Sequence, residues 1–297
     1  MNASDLNTQL SGPRPPLLVH VNTEEHFAAR RISGAKNVCV YETAFLDNLQ
    51  KLEPEKTVAI IVYGEGAPSL DSEEAAHRLI TAGYTNVTDF RGGLREWEQA
   101  GLPILSDTEL PQTPVITGQF KADTQGSLIR WTGRNLFNHH SGSLKLAAGH
   151  LTIEKGALKT ASFILDMNSI TCEDLTDSGY NAMLIHHLRT TDFFDVDQYP
   201  TATFEATRAD AIEGSTDGTP NYQITGGFSL RGITHEITFP AVVAIGDAKY
   251  ITAQAQIEID RTRWGSRYGS GKFFAFLGKH VVNDHIQLHL KIHAERG

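Results

Sequence analysis

The spacing of apolar residues changes near residue 110, and this change limits the folds that the chain can adopt. Before it, continuous apolar runs such as "TVAIIVY" (57–63) alternate with helix-like segments such as "DSEEAAHRLITAG" (71–83). Continuous β-branched runs are typical of strands buried on both faces of a parallel sheet. After it, apolar and polar residues alternate, as in "HIQLHLKIH" (285–293), which is typical of antiparallel strands with one face in water. The chain is therefore predicted to form two domains of different class.

A segment rich in proline and small polar residues separates the two patterns. It reads "SDTELPQTP" (106–114), has no apolar period and is typical of a linker. Residues 1–105 are predicted to form an α/β domain with a parallel sheet, and residues 115–297 an antiparallel β-barrel or sandwich. Within the second domain, "TDSGYNAMLIHHLRTTDFF" (176–194) interrupts the strands and predicts one helix.

Charge and composition argue against several partners. The 297 residues carry 26 Lys and Arg against 35 Asp and Glu, a net charge of −9, so nucleic acid and anionic membrane surfaces are expected to be poor partners. No apolar run is long enough to span a bilayer, and the first residues lack the pattern of a secretory signal. Because Cys39 and Cys172 are the only cysteines, we expect no disulfide framework and a reducing, cytoplasmic location.

The first domain resembles the rhodanese-like family. The similarity lies in "VAIIVYG" (58–64), "AAHRLITAG" (75–83) and, most specifically, "GYTNVTDFRGGLREWEQAGLP" (83–103). The resemblance implies an active site in the loop after the central strand, where a cysteine thiolate attacks a sulfur donor. In this chain the position of that cysteine is Gly64, which has no side chain that can attack. The resemblance therefore implies a sulfur-transfer scaffold without its nucleophile.

Three interpretations of this degenerate loop remain open. In the first, the domain is catalytically inactive and serves for packing or partner binding, since covalent catalysis needs a nucleophile. In the second, Ser69 or Ser72 replaces the cysteine, although no activating base is evident. In the third, backbone N–H groups of the loop bind an anion, although its acidic residues oppose one; Asp71 is predicted as the N-cap of the following helix. The loop comprises Gly64, Glu65, Gly66, Ser69, Asp71 and Ser72.

The second domain resembles the YceI-like family, whose members form a lipocalin-like antiparallel barrel. The most specific segments are "LRTTDFFDVDQYPTATF" (188–204), "GGFSLRGITHEI" (226–237) and "IEIDRTRWGSRYGS" (257–270). The resemblance implies that the barrel interior binds a polyisoprenoid or a related lipid. It does not assign head-group contacts residue by residue.

Apolar strand faces supply the predicted lining of that interior. A barrel of about eight strands has an interior that side chains either fill or leave open for one ligand. The same residues form an ordinary packed core if no cavity is present, because protein interiors are normally close-packed. The predicted ligand-binding residues, with Phe274 placed at one end, are Ile129, Trp131, Phe163, Leu165, Phe204, Phe228, Leu230, Ile257, Phe274, Leu288 and Leu290.

Thirteen histidines raise the question of a metal site. His285, His289 and His293 are spaced by four, which on a helix would place them together as in a metalloprotease. The surrounding alternation instead predicts a strand that carries all three on its polar face. We therefore expect no metal ligands and no cofactor.

Together these patterns favour a non-enzymatic protein that binds or carries a polyisoprenoid or other long-chain amphiphile. Its partner is expected to be an apolar or amphiphilic lipid, and an oligomer is compatible with the sequence. One alternative is a sulfurtransferase-like or phosphatase-like enzyme that uses the 64–72 loop. Another is a module in which both domains bind only protein.

Overall fold

The structure is a computed structural model of the chain, and it describes residues 1–109, 115–245 and 248–297. It divides the chain into two compact units, Met1–Gln112 and Thr113–Gly297. The division falls within the predicted linker, whose residues 110–114 lie outside the described residues. The exact domain boundaries and the linker remain predictions.

The first unit is an α/β domain built on a parallel sheet. Its helices are α1 (Ala3–Leu10), α2 (Glu24–Ala29), α3 (Phe45–Leu52), α4 (Asp71–Thr81) and α5 (Gly93–Gln99). Its strands are β1 (Leu17–His20), β2 (Lys36–Asn37), β3 (Ile60–Tyr63) and β4 (Val87–Asp89). The strand order is β2-β1-β3-β4, and all neighbours are parallel. The predicted fold class of this domain is confirmed.

The central strand β3 shows why its apolar run is continuous. Ile60 and Val62 pack in a cluster with side chains of α3 and α4. Ile61 and Tyr63 pack in a second cluster with side chains of α1 and α5. Because helices cover both faces of the sheet, every residue of β3 is buried. Packing on both faces of the sheet therefore holds the end of β3, where the degenerate loop begins, in a fixed position.

Helix α4 begins differently from the prediction. Leu70 occupies the N-cap position and Asp71 is the first helical residue, so the prediction of Asp71 as the N-cap was wrong. The carboxylate of Asp71 instead accepts a hydrogen bond from the N–H of Ser72 at 2.7 Å and one from the N–H of Glu65, across the loop, at 3.2 Å. Its side chain thus bridges the helix start and the loop.

The second unit is a closed antiparallel barrel. Its strands are β5 (Gly118–Ala122), β6 (Leu128–Arg134), β7 (His139–Glu154), β8 (Ala157–Asp166), β9 (Thr201–Ala211), β10 (Tyr222–Leu230), β11 (Ile233–Ile245), β12 (Tyr250–Asp260) and β13 (His285–Arg296). Strands β5 and β6 pair with different parts of the same two strands, β7 and β13. They share one of eight positions around the barrel, and β12 pairs with β13 to close it. The predicted barrel is confirmed.

Helix α6 (Ser178–Arg189) interrupts the strands between β8 and β9, as predicted for residues 176–194. The side chain of Asp177 caps it by accepting a hydrogen bond from the N–H of Tyr180 at 2.9 Å. In the described part of the chain, no helix combines the length and the apolarity needed to cross a membrane.

A glycine pair in β10 shows how closely strands β9 and β10 approach each other in the barrel wall. The register between β10 and β9 shifts at Gly226, where a Cβ would overlap the carbonyl oxygen of Glu205 and lie 2.7 Å from Cζ of Phe204. At the adjacent Gly227 the nearest atom to a Cβ would be a methyl carbon of Thr234, at 3.2 Å. The backbone of β9 can therefore approach β10 this closely only because residue 226 has no side chain.

We expect Gly226→Ala to lower the free energy of unfolding of the barrel by about 1–3 kcal/mol, the usual cost of overpacking. The matched variant Gly227→Ala is expected to change it by less than about 1 kcal/mol, since a methyl group can move aside. Urea unfolding of both variants measures the difference. Equal costs for the two variants would contradict this account of the wall.

Candidate functional site

The barrel interior contains two adjoining cavities. The inner cavity has a volume of about 80 Å³ and the outer cavity one of about 470 Å³. Leu165, Phe228 and Leu288 line both, so the cavities meet at these three side chains. The outer cavity alone lies within the range of about 300–1,000 Å³ that is usual for small-molecule sites.

Ten of the eleven predicted lining residues lie on the cavity walls. Ile129, Phe163, Phe204, Ile257 and Leu290 line the inner cavity, Trp131 and Leu230 line the outer one, and Leu165, Phe228 and Leu288 line both. Phe274 is 50% exposed and lines neither cavity. Strand alternation places the other ten side chains inside the barrel. Phe274 lies in an irregular segment, to which no alternation applies. That any of them binds a ligand stays a prediction.

Helix α6 forms part of the wall of the outer cavity. Leu184, His187 and Leu188 share one face of the helix and line the cavity. The ring of His187 packs edge-on against Phe193 and Tyr268, with centroid distances of 5.0 and 4.6 Å. These aromatic contacts hold the helix against the end of the barrel.

The polar groups of the outer cavity are basic or uncharged. No aspartate or glutamate is found among the described residues that line it. Carboxylates outside the wall lie beside His140, His187 and Arg261. The other cationic side chains, those of Arg134 and Lys279, favour an anion over a cation in the cavity. The Arg, Lys and His residues on its wall are Arg134, His140, His187, Arg261, Lys279 and His280.

Arg261 is fixed within the wall. It is 1% exposed, and it donates hydrogen bonds of 2.7–3.1 Å to the backbone carbonyl oxygens of Ser266, Tyr268, Val282 and Asn283. A carboxylate oxygen of Asp284 lies 3.7 Å from its guanidinium group. Burial lowers the pKa of Arg261, and these contacts compensate for part of the cost of burying its charge. Arg261 therefore joins the loops at this end of the barrel more than it presents donors to a ligand.

His140 belongs to a polar cluster at the edge of the outer cavity. Its Nδ1 lies 2.8 Å from Asp174, which also accepts hydrogen bonds from the N–H of Ser141 at 2.6 Å and the thiol of Cys172 at 3.3 Å. Burial acts to raise the pKa of Asp174, but the hydrogen bonds outweigh it and lower that pKa to about 2. The potential ligand atoms of His140, Cys172 and Asp174 lie within 4.8 Å of one another. The hydrogen bonds account for this arrangement without an ion.

Sequence reasoning missed the polar end of the cavity. Asn135 and His140 flank the turn between β6 and β7, whereas Lys279 and His280 lie just before β13. These segments lack a hydrophobic period, so pattern analysis selects the apolar strand faces and passes over them. The available signal was local charge, because residues 261–283 contain five Lys and Arg and no acidic residue.

In the first unit, the degenerate loop holds the side chain of Asp71 where a side chain at position 64 would lie. A Cβ at Gly64 would overlap the carboxylate of Asp71. Besides the N–H groups of Glu65 and Ser72, the side-chain amide of Asn22 donates a hydrogen bond to this carboxylate at 2.8 Å. The donors that would bind an external anion in the loop thus bind an internal one.

Asp71 keeps a negative charge in this position. Burial acts to raise its pKa, but hydrogen bonds from Asn22, Glu65, Ser69 and Ser72 outweigh it and hold the pKa below the usual value. A buried carboxylate repels a second anion placed beside it. Ser72 is fully buried in the first turn of α4, which removes it from contact with a substrate.

A chain of side chains connects β1 to the same loop. Nε2 of His20 lies 3.3 Å from Nδ1 of His26, and Nε2 of His26 lies 3.2 Å from the carboxylate of Glu65. Arg30 also pairs with Glu65, at 3.3 Å. Burial, followed by repulsion from His26, lowers the pKa of His20 to about 3, so this ring is neutral at physiological pH. The carboxylate of Glu65 thus contacts both His26 and Arg30, so it is not free to act as a base.

Models of two known families match the chain. The model described as a YceI-like domain matches residues 120–294, and the model described as a rhodanese-like domain matches residues 2–100. The two matches fall on the barrel and on the α/β unit, respectively. No curated protein matches the chain.

Several solved structures are similar to parts of the chain. BcnA of Burkholderia cenocepacia is 22% identical, with a TM-score of 0.46, over 58% of this chain and 98% of its own. A polyisoprenoid binding domain from Saccharophagus degradans, implicated in plant cell wall breakdown, is 14% identical with a TM-score of 0.44, over 60% and 98%. A thiosulfate sulfurtransferase from Pseudomonas aeruginosa is 28% identical with a TM-score of 0.33, over 36% of this chain and 20% of its own.

We expect the first unit to lose stability as the pH falls below 6.5, because of His20. The unfolded chain binds a proton at this imidazole near its ordinary pKa of 6.5, whereas the folded unit does so only near pH 3. The stabilisation is therefore complete above pH 6.5 and declines by up to about 1.4 kcal/mol per pH unit below it. Urea unfolding at several pH values, followed by proteolysis and detection of peptides from the first unit, measures this slope. His20→Gln should flatten it, and an unchanged slope in that variant would refute the assignment.

Proposed function

We propose, since the chain belongs to the YceI-like family through residues 120–294, that its barrel binds and carries a long-chain amphiphile with an anionic head group, such as a polyisoprenyl phosphate. The end of the ligand's apolar chain enters the inner cavity of about 80 Å³, and the rest of the chain extends through the outer cavity of about 470 Å³. The head group lies beside the basic side chains of the outer cavity. The carrier leaves the ligand chemically unchanged.

One observation carries this proposal: an apolar cavity joins a second cavity that has basic side chains and, among the described residues on its wall, no acidic ones. Each CH₂ group that enters the inner cavity gains about 0.8 kcal/mol, which favours a long hydrocarbon chain over a polar molecule. Arg134 and Lys279, both exposed on the wall of the outer cavity, supply cationic donors for a phosphate or carboxylate. The order of the two cavities matches the order of tail and head in an amphiphile.

The first unit is proposed to act without sulfur transfer. Position 64 lacks a thiol, and the carboxylate of Asp71 occupies the space that a side chain there would need. The same charge opposes binding of thiosulfate or phosphate, which makes the sulfurtransferase-like and phosphatase-like alternatives unfavourable. We assign this unit no reaction of its own.

Filling the junction of the two cavities is expected to block binding. We predict that Leu165→Trp weakens the affinity for geranylgeranyl phosphate by about tenfold or more, since the bulky ring occupies the space that the isoprenoid chain needs. Isothermal titration of the purified full-length protein measures the affinity. The wild type should bind this probe more tightly than it binds geranylgeraniol, which lacks the charge.

The matched control is Ile164→Trp. Ile164 is the neighbour of Leu165 in β8, is 40% exposed and lines neither cavity. The Ile164→Trp variant should bind geranylgeranyl phosphate as the wild type does, and circular dichroism should show that both variants are folded. The carrier proposal would be refuted if the wild type did not bind geranylgeranyl phosphate, or if both variants bound it equally well.

For the first unit, we expect no transfer of sulfur from thiosulfate to cyanide above the uncatalysed rate. Gly64→Cys alone should stay inactive because the new Cβ overlaps Asp71. In Gly64→Cys/Asp71→Ala, the new thiolate is free to attack the outer sulfur of thiosulfate, release sulfite and form a persulfide. Mass spectrometry detects the gain of one sulfur atom. Turnover by the wild type that disappears in Ser69→Ala would instead establish the enzyme alternative.

A further inference from the structure

Large apolar side chains are exposed around the outer cavity. They lie on three segments: the turn between β6 and β7, helix α6, and the segment before β13. On the surface of a soluble protein, such a group with polar residues around it marks an interaction site. The exposed side chains are Leu136, Phe137, Tyr180, Met183, Phe273, Phe274 and Phe276.

The three segments meet at the outer cavity. An isolated bridge joins Asn135 to Val282, and both residues line the cavity. The N–H of Val282 donates a hydrogen bond to the carbonyl of Gly269 at 2.8 Å, so residues 270–281 form a loop whose two ends are held together. This loop carries the three exposed phenylalanines, and its final residues form part of the cavity wall. We call the seven exposed apolar side chains and their three segments the rim.

The charge of the rim is opposite to that of the whole chain. Residues 134–140, 178–191 and 261–283 contain seven Lys and Arg and no Asp or Glu, and four aspartates directly adjoin them, whereas the chain has a net charge of −9. The adjoining aspartates are Asp177, Asp192, Asp260 and Asp284. The basic residues of the three segments are Arg134, Arg189, Arg261, Arg263, Arg267, Lys272 and Lys279.

Some of this positive charge is already paired. Lys272 lies 2.6 Å from Asp260 and 3.5 Å from Asp284, and Arg261 is buried. The histidines His140 and His187 of the rim also have carboxylate partners, Asp174 and Asp192. Arg134, Arg267 and Lys279 remain exposed, and the guanidinium group of Arg267 stacks 4.9 Å from the ring centre of Phe273. One exposed cation, Arg267, therefore lies directly beside an exposed aromatic ring.

We propose that the rim docks on an anionic phospholipid bilayer. The exposed apolar side chains enter the interfacial region, the neighbouring cations contact lipid head groups, and the outer cavity faces the membrane. This inference extends the proposed carrier function, on which its purpose rests, by naming the place where an amphiphile enters or leaves the barrel.

The charge pattern selects this partner over a second copy of the chain. A two-fold dimer through the rim would bring two groups of exposed cations together, which is unfavourable. Apolar side chains flanked by Lys and Arg are the combination that binds anionic interfaces, where burial of apolar area and attraction to lipid charge act together. The net charge of the chain opposes such binding only weakly, because at physiological ionic strength salt screens charges that lie more than about 8 Å from the membrane.

Vesicle flotation of the full-length protein tests the docking. We expect the protein to float with vesicles of phosphatidylglycerol and phosphatidylcholine in equal amounts, and much less with phosphatidylcholine alone. High salt should weaken the binding. The variant Phe273→Ser/Phe274→Ser/Phe276→Ser should reduce the bound fraction by about tenfold or more, and Arg267→Glu should reduce it on the anionic vesicles.

The controls are Ile80→Ser, 57% exposed on α4 of the first unit, and Leu128→Ser, 37% exposed at the start of β6. Both should float as the wild type does. Docking is overturned if the wild type does not float, if the triple variant floats equally well, or if light scattering shows only a phenylalanine-dependent dimer. Titration with geranylgeranyl phosphate in solution separates the two proposals, because the triple variant should still bind this probe. If the triple variant loses vesicle binding but still binds the probe, the result supports docking. If the wild type binds vesicles but not the probe, the result contradicts the carrier function and leaves docking intact.

Discussion

The pairing of β12 with β13 closes the barrel, and the interior cavities depend on it. Eleven residue pairs, from Tyr250 opposite Glu295 to Asp260 opposite His285, join the two strands. Closure removes the free edges that an open sheet would present. It also turns apolar faces inward together, so that Ile257 lies opposite Leu288 within one cavity wall. In an open sheet the same residues would need another layer to cover them.

A closed barrel does not by itself leave room for a ligand. Here small side chains occupy several wall positions, including Ala241 on β11 and Ala253 and Ala255 on β12. Larger residues on the opposite strands do not fill the space that these alanines leave. At the outer end, loops tied together by the hydrogen bonds of buried Arg261 widen the interior into a cavity with basic groups. The change from apolar to basic along the interior matches the shape of an amphiphile.

Strand periodicity predicted an α/β domain, an antiparallel barrel or sandwich, and the inward direction of ten lining side chains, because alternation along a strand is a local property. The resemblance to the YceI-like family selected the barrel. It failed where the chain is irregular. Phe274 was placed at one end of the interior, but its side chain is half exposed in a loop. The overall negative charge predicted little affinity for anionic surfaces, yet seven of the 26 Lys and Arg residues lie in the three segments around the outer cavity. An average over the sequence cannot show such a separation of charge.

The sequence by itself determined that the chain has an α/β domain and a domain of antiparallel strands and that position 64 lacks a nucleophile, since these properties depend on residue identity and local spacing. Only the tertiary structure decided what takes the place of the missing side chain: Asp71, seven residues further on, fills that space because the loop folds back to the start of α4. It also decided that the turn after β6, helix α6 and the loop before β13 surround one cavity. Strand pairing and hydrogen bonds between distant residues bring these segments together, and such contacts leave no periodic trace in the sequence.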